Sequence, residues 1–111
     1  MIKVIIGFKR RHGMGIQEFQ DYRRDIHAPM LFSIPEAKKI NRFVVSYPVD
    51  YSAAEEPQFD AVVEAWFQNE GDMNALFLSE NFAARVDPDH ENFIDLSSVV
   101  RLVTEELIVV P

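Results

Sequence analysis

The chain has no cysteine. That excludes disulfides, thiolate metal sites and cysteine nucleophiles together, and it fits a reducing compartment, so a cytoplasmic location is expected. Basic charge is also short: 11 Lys and Arg against 18 Asp and Glu leave a net charge of −7. Nucleic-acid recognition needs a basic face, and anionic membrane surfaces are disfavoured for the same reason. The one basic run, Lys9-Arg10-Arg11-His12, sits at a strand end and reads as a strand cap or a partner for the acidic surplus. Glycine is scarce, with 4 residues, and Gly13-x-Gly15 alone makes a turn, not a phosphate-binding loop. No apolar run approaches the ~20 residues of a membrane span. The opening Ile2-Lys3-Val4-Ile5-Ile6-Gly7-Phe8 lacks the basic lead-in and small-residue cleavage site of a signal peptide, and reads as a first strand.

What is present is an ordinary globular composition, 48% hydrophobic and 26% charged over 111 residues, expected to form one domain spanning 1–111. The strand from Ile2 to Lys9 stops at His12-Gly13-Met14-Gly15, and a helix is expected from Ile16. Pro29 should kink or break that helix and push Ala28 out of the helical region; Pro35 closes it. Lys39 to Tyr47 alternates as a strand, and Pro48 to Gln58 reads as a loop. In Phe59 to Gln68, Asp60, Val62, Glu64 and Trp66 stand on one face and Ala61, Val63, Ala65 and Phe67 on the other. A second helix from Gly71-Asp72 reaches as far as Phe82 to Ala84, Asp87-Pro88-Asp89 stops it, and a last strand is expected from about Ser98 to Val109.

The order β-α-β-β-α-β is the split arrangement of ferredoxin-like α+β folds, with a four-stranded antiparallel sheet and both helices on one face. The other face carries apolar residues too, because all four strands have them at both parities. Exposing such a sheet would leave an apolar patch beyond what monomers tolerate, so a two-fold homodimer is expected.

Within the first helix, a 100° advance per residue puts Ile16, Phe19, Ile26, Met30 and Ile34 on one core-facing arc. Arg23 and His27 project into the same arc. Burying a guanidinium costs several kcal/mol, on the order given for buried ions, unless it is paired. These two side chains are either satisfied internally or line a pocket.

Several segments carry a family resemblance: Met1-Ile2-Lys3-Val4-Ile5, Phe8-Lys9-Arg10 followed by Gly13-Met14, Glu18-Phe19, Tyr22-Arg23 and His27-Ala28-Pro29. With Asn92-Phe93-Ile94-Asp95 and Val103-Thr104-Glu105-Glu106, they resemble the EthD-like family of dimeric α+β barrel proteins over nearly the whole chain. The resemblance implies a face-to-face dimer and a pocket between the first helix region and the sheet. It implies no single reaction. Relatives include a muconolactone methylisomerase and fungal polyketide dehydratases or decarboxylases, and related barrels include polyketide cyclases and quinol or haem monooxygenases. It also places a functional histidine at position 27.

His27 is the leading candidate for proton exchange near neutral pH; the plainer reading is a core histidine bonded to a carbonyl freed by Pro29. Arg23 offers a planar fork for a substrate carboxylate or carbonyl, or else pairs with Glu64, a mid-strand carboxylate that needs a partner. Tyr22 and Tyr47 offer phenols for a ligand oxygen. Glu64, Trp66, Asn92 and Phe93 complete the expected substrate-binding set. Asn92 is equally suited to a turn, and the aromatics to the core. His12, His27 and His90 form no metal-ligand spacing, His90 reads as solvated, and no metal or cofactor is expected. A haem site using His27 or His90 lacks a proximal pattern.

The resulting expectation is a cofactor-independent enzyme of small-molecule catabolism or secondary metabolism. It would carry out acid/base chemistry, such as isomerisation, cyclisation, dehydration or oxygenation, on a small cyclic or aromatic oxygenated substrate. The alternative is a non-catalytic binding or accessory protein for an oxygenase system.

Overall fold

The computed structural model describes residues 1–51 and 56–111; of the expected loop from Pro48 to Gln58, residues 52–55 lie outside this description. β-Branched residues carry β1, Ile2–Arg10, and Gly13 at φ 82°, a conformation that disfavours side chains, turns the chain. α1, Ile16–Tyr22, passes into a π-helical turn, Arg23–His27, and then α2, Ala28–Phe32. A 3-10 turn, Pro35–Lys39, leads to β2, Arg42–Ser46, and β3, Ala61–Phe67, follows. α3, Glu70–Phe77, is capped by the Asn69 side chain, which accepts a hydrogen bond from the Asp72 amide. A second π-helical turn, Phe82–Val86, a 3-10 turn, Asp87–Asn92, and β4, Ile94–Glu105, complete the chain.

The sheet has the order β2-β3-β1-β4 and every pairing is antiparallel. Val4 lies opposite both Ala65 and Val103, so alternate residues from these positions face the helices. Val4, Phe67 and Leu76 anchor one core cluster with Leu31, Ile34 and Val86. Phe8, Phe19, Val63 and Phe93 anchor the neighbouring one. The intervening residues form the open face, where Phe59 lies on Gly7: a Cβ there would meet the ring at 3.0 Å.

Several expectations change. Ala28 stays helical, at φ −61° and ψ −47°, and the distortion falls in the turn before it. That turn inserts a residue into the helical phase, so Leu31 is buried in place of Met30 and Ile26 is 46% exposed. β2 begins at Arg42 because Pro35–Lys39 is taken by a 3-10 turn. The second helix ends at Phe77, and the last strand runs Ile94–Glu105 instead of from Ser98 to Val109. The basic run finds acidic partners: Lys9 with Glu56, Arg10 with the buried Asp60, and His12 with Asp95.

Glu64 does not meet Arg23. The register that buries Val63 and Ala65 under the helices turns Glu64 and Trp66 to the open face. There Glu64 accepts from Lys3 Nζ at 2.9 Å. Trp66 lies between the Lys3 and Arg42 cations, at 5.3 Å and 4.7 Å from its ring, and its indole N–H donates to Glu106. Neither residue borders the site described below.

Candidate active site

Both π-helical turns precede a proline, and the reason is geometric. Proline has no N–H and is tolerated only in the first turn of a helix. At Arg23–His27, the Ala28 amide reaches back five residues to the Arg23 carbonyl, the helix restarts at Ala28, and Pro29 falls in its first turn. At Phe82–Val86 the Asp87 amide bonds the Phe82 carbonyl in the same way, ahead of Pro88. The first turn buries Arg23 and His27, each 4% exposed. The second delivers the 3-10 turn that carries Asp89, His90 and Asn92.

Asp89 organises the site. It is 7% exposed and accepts three hydrogen bonds: from Tyr22 Oη at 2.6 Å, His27 Nδ1 at 2.9 Å and Asn92 Nδ2 at 2.9 Å. Burial pushes its carboxyl up, but the bonds from Tyr22, Asn92 and His27 outweigh that and hold it below the ordinary range. Donation from Nδ1 fixes the His27 tautomer and leaves Nε2 as a free lone pair. Burial lowers the His27 pKa to about 4 despite the Asp89 bond, so the imidazole is neutral at pH 7. The Asp89 bond also lifts the Tyr22 phenol above its usual value.

A cavity of about 390 Å³ opens between the helices and the sheet. Arg23, His27, Asp87, His90 and Arg101 are its charged or titratable lining, and Phe8, Phe43, Phe77, Phe82 and Phe93 supply aromatic walls. The His90 ring lies 4.6 Å from the His27 ring, and its Nδ1 donates to the Asp87 backbone carbonyl at 3.0 Å and Oδ1 at 3.1 Å. His90 is therefore part of the cavity wall and not the solvated residue expected. Two aspartate-held imidazoles stand together at one apolar cavity. Among the described residues, no group of three or more His, Asp or Glu is placed to hold a metal ion.

Of the residues singled out by sequence, Arg23, His27 and Phe93 line the cavity. Tyr22 and Asn92 stand behind it as donors to Asp89, and Tyr22 stacks on Phe93 at 5.2 Å. Tyr47 packs edge-on against Phe19 at 6.5 Å, outside the lining. Glu64 and Trp66 are across the sheet. Asp89 and His90 were missed: Asp87-Pro88-Asp89 reads as a helix stop, and only the three-residue spacing of Asp89 and Asn92, which a 3-10 turn eclipses, hinted at their pairing.

The sheet order and the helices on one face define a ferredoxin-like α+β fold, here with a buried polar cluster at the helix–sheet cavity. An EthD domain model matches residues 11–97, and the chain belongs to the EthD family. An EthD family protein of Bacillus halodurans superposes with a TM-score of 0.73 at 20% identity, covering 96% of this chain and 99% of that one. An EthD-like protein of Ralstonia eutropha gives 0.72 at 20% identity, covering 98% and 92%. A dimeric ferredoxin-like protein of unknown function from Bacteroides fragilis gives 0.66 at 14% identity, covering 95% of each chain. No curated protein matches the chain significantly.

Proposed function

We propose that the protein is a proton-transfer enzyme acting on a small oxygenated ring compound, with His27 as its base. The observation that carries this reading is the Asp89–His27 pair at an apolar cavity. A neutral imidazole with a fixed tautomer takes a proton at Nε2, and the carboxylate on Nδ1 stabilises the imidazolium that forms. Returning that proton to another atom of the same molecule isomerises or cyclises it; delivering it to a departing hydroxyl dehydrates it. His90, held through its own Nδ1, stands close enough to share the second transfer. The reading includes a homodimer formed through the open face of the sheet, supported by the apolar Ile5, Val44, Val62 and Leu102 there and by dimeric structural neighbours.

The test is deuterium exchange from heavy water into unsaturated lactones and cyclic 1,3-diketones, followed by proton NMR. The wild type should catalyse exchange into at least one of these compounds. His27→Gln should slow it ~10²–10⁴-fold, the range for a lost general base. Asp89→Asn, which cannot hold the same tautomer as an anion, should also lower the rate. Exchange unaffected by either substitution would overturn the catalytic reading and leave a binding protein.

A further inference from the structure

Arg23 is a buried cation without an anion. It is 4% exposed, and its Nε has no hydrogen-bond partner. Among the described residues no carboxylate pairs with it; the guanidinium rests over the Phe43 ring at 5.5 Å. Other arginines are differently placed: Arg10 meets Asp60 at 2.9 Å and Arg24 meets Asp25 at 2.8 Å. The acids near the cavity are already engaged, Asp89 by Tyr22, His27 and Asn92, and Asp87 by His90. Burial holds the Arg23 pKa below its usual value, yet an arginine keeps its proton at pH 7.

A folded chain with an acidic surplus has left one buried guanidinium unpaired at the wall of its apolar cavity; Arg101, which also lines it, is exposed and lies over the Phe77 ring at 5.2 Å. A buried, unpaired group costs stability unless something arrives to neutralise it. The cavity supplies aromatic walls for a flat body, and at about 390 Å³ it can enclose a small organic acid. Arg23 and His27 leave the same turn toward the same space, so an acid held by Arg23 presents its conjugated portion to His27. We propose that Arg23 is the carboxylate-binding residue of the cavity and that its ligand is a small, planar, largely apolar carboxylic acid, conjugated or aromatic. This names the substrate class for the proton-transfer reading and rests on that reading for its chemistry, though not for the binding itself.

The test is calorimetric titration of the full chain with 1-naphthoate and with its neutral counterpart 1-naphthamide. The wild type should prefer the carboxylate by ~10-fold or more, as charge-assisted paired hydrogen bonds allow. Arg23→Met should abolish that preference while retaining the amide, and His27→Gln should keep it. A wild type that binds both probes equally, or neither, overturns the proposal, as does an Arg23→Met variant that still prefers the carboxylate. Thermal melting of the ligand-free variant gives a check that needs no probe. Removing an unpaired buried charge should leave the melting temperature unchanged or higher, whereas a clear fall would mean that Arg23 serves the fold. Failure here with His27-dependent exchange intact removes the anion site alone; loss of His27 dependence with the carboxylate preference intact removes the proton transfer alone.

Discussion

At the scale of single residues, His27 ties stability to pH. Its folded-state pKa is about 4, against 6.5 when unfolded. Between these values the unfolded chain binds a proton that the native state refuses, so stability rises with pH across that window. The contribution is complete above about pH 6.5 and is lost as pH falls toward 4. It amounts to about 3 kcal/mol at this near-complete burial. Asp89, whose pKa is depressed, acts in the same direction at lower pH. Urea denaturation of the wild type at a series of pH values should show the decline, and His27→Gln should flatten it between pH 6.5 and 4. A wild-type slope that survives the substitution would place the titrating group elsewhere. Tyr22 and Asn92 illustrate a different lesson: both were expected to touch substrate, yet each spends its polar atom on Asp89. They position the Asp89–His27 pair on which the proposed proton transfer rests.

At the scale of elements, the π-helical turn at Arg23–His27 converts a proline problem into a site. A regular helix would place Pro29 in its interior and expose the Asp25 carbonyl. One additional residue restarts the helix at Ala28, with Arg23 and His27 buried at the two ends of the turn. Deleting the exposed Ile26 should return the segment to regular helix, trapping Pro29 in the interior at a cost of about 3 kcal/mol. Adding Pro29→Ala to the deletion should recover most of that stability in a denaturant melt. Both variants should lose naphthoate binding and exchange activity, because the restored phase separates His27 from Asp89. Recovery of activity along with stability would show that the turn merely accommodates the proline.

At the scale of the whole molecule, the open face of the sheet is the other half of the design. Leu102 is 57% exposed and Val100 54%, beside Ile5, Val44 and Val62. Lys3, Arg42, Glu64 and Glu106 are the charges gathered around Trp66, two of each sign, and Lys3 pairs with Glu64 at 2.9 Å. A cluster with no net charge, in which Lys3 meets both carboxylates and Arg42 stacks on Trp66, can be covered by a second sheet at less cost than isolated ions. Sedimentation velocity should report a dimer, and Leu102→Glu, which places an unpaired charge at the centre of that surface, should shift it to monomer. A dimer that persists unchanged would move the interface to another surface. None of the helices among the described residues is long and apolar enough to cross a membrane.

The alternation in Ala61–Phe67 and the helical pattern around Phe19 are local properties, so sequence alone determined which residues share a face and the β-α-β-β-α-β order. It also determined that Arg23 and His27 are anomalous, because two ionisable groups on an apolar arc stand out by type. Parity cannot say which side of a sheet meets the helices. That choice, which took Glu64 away from Arg23 and gave it to Lys3, followed from the pairing register of β1 with β3. Nor can periodicity reach across 62 residues to bring Asp89 to His27. Tertiary structure decided the partner of the histidine, the place of His90 and the isolation of Arg23, because each depends on how two distant helical segments, each bent ahead of a proline, close over one sheet.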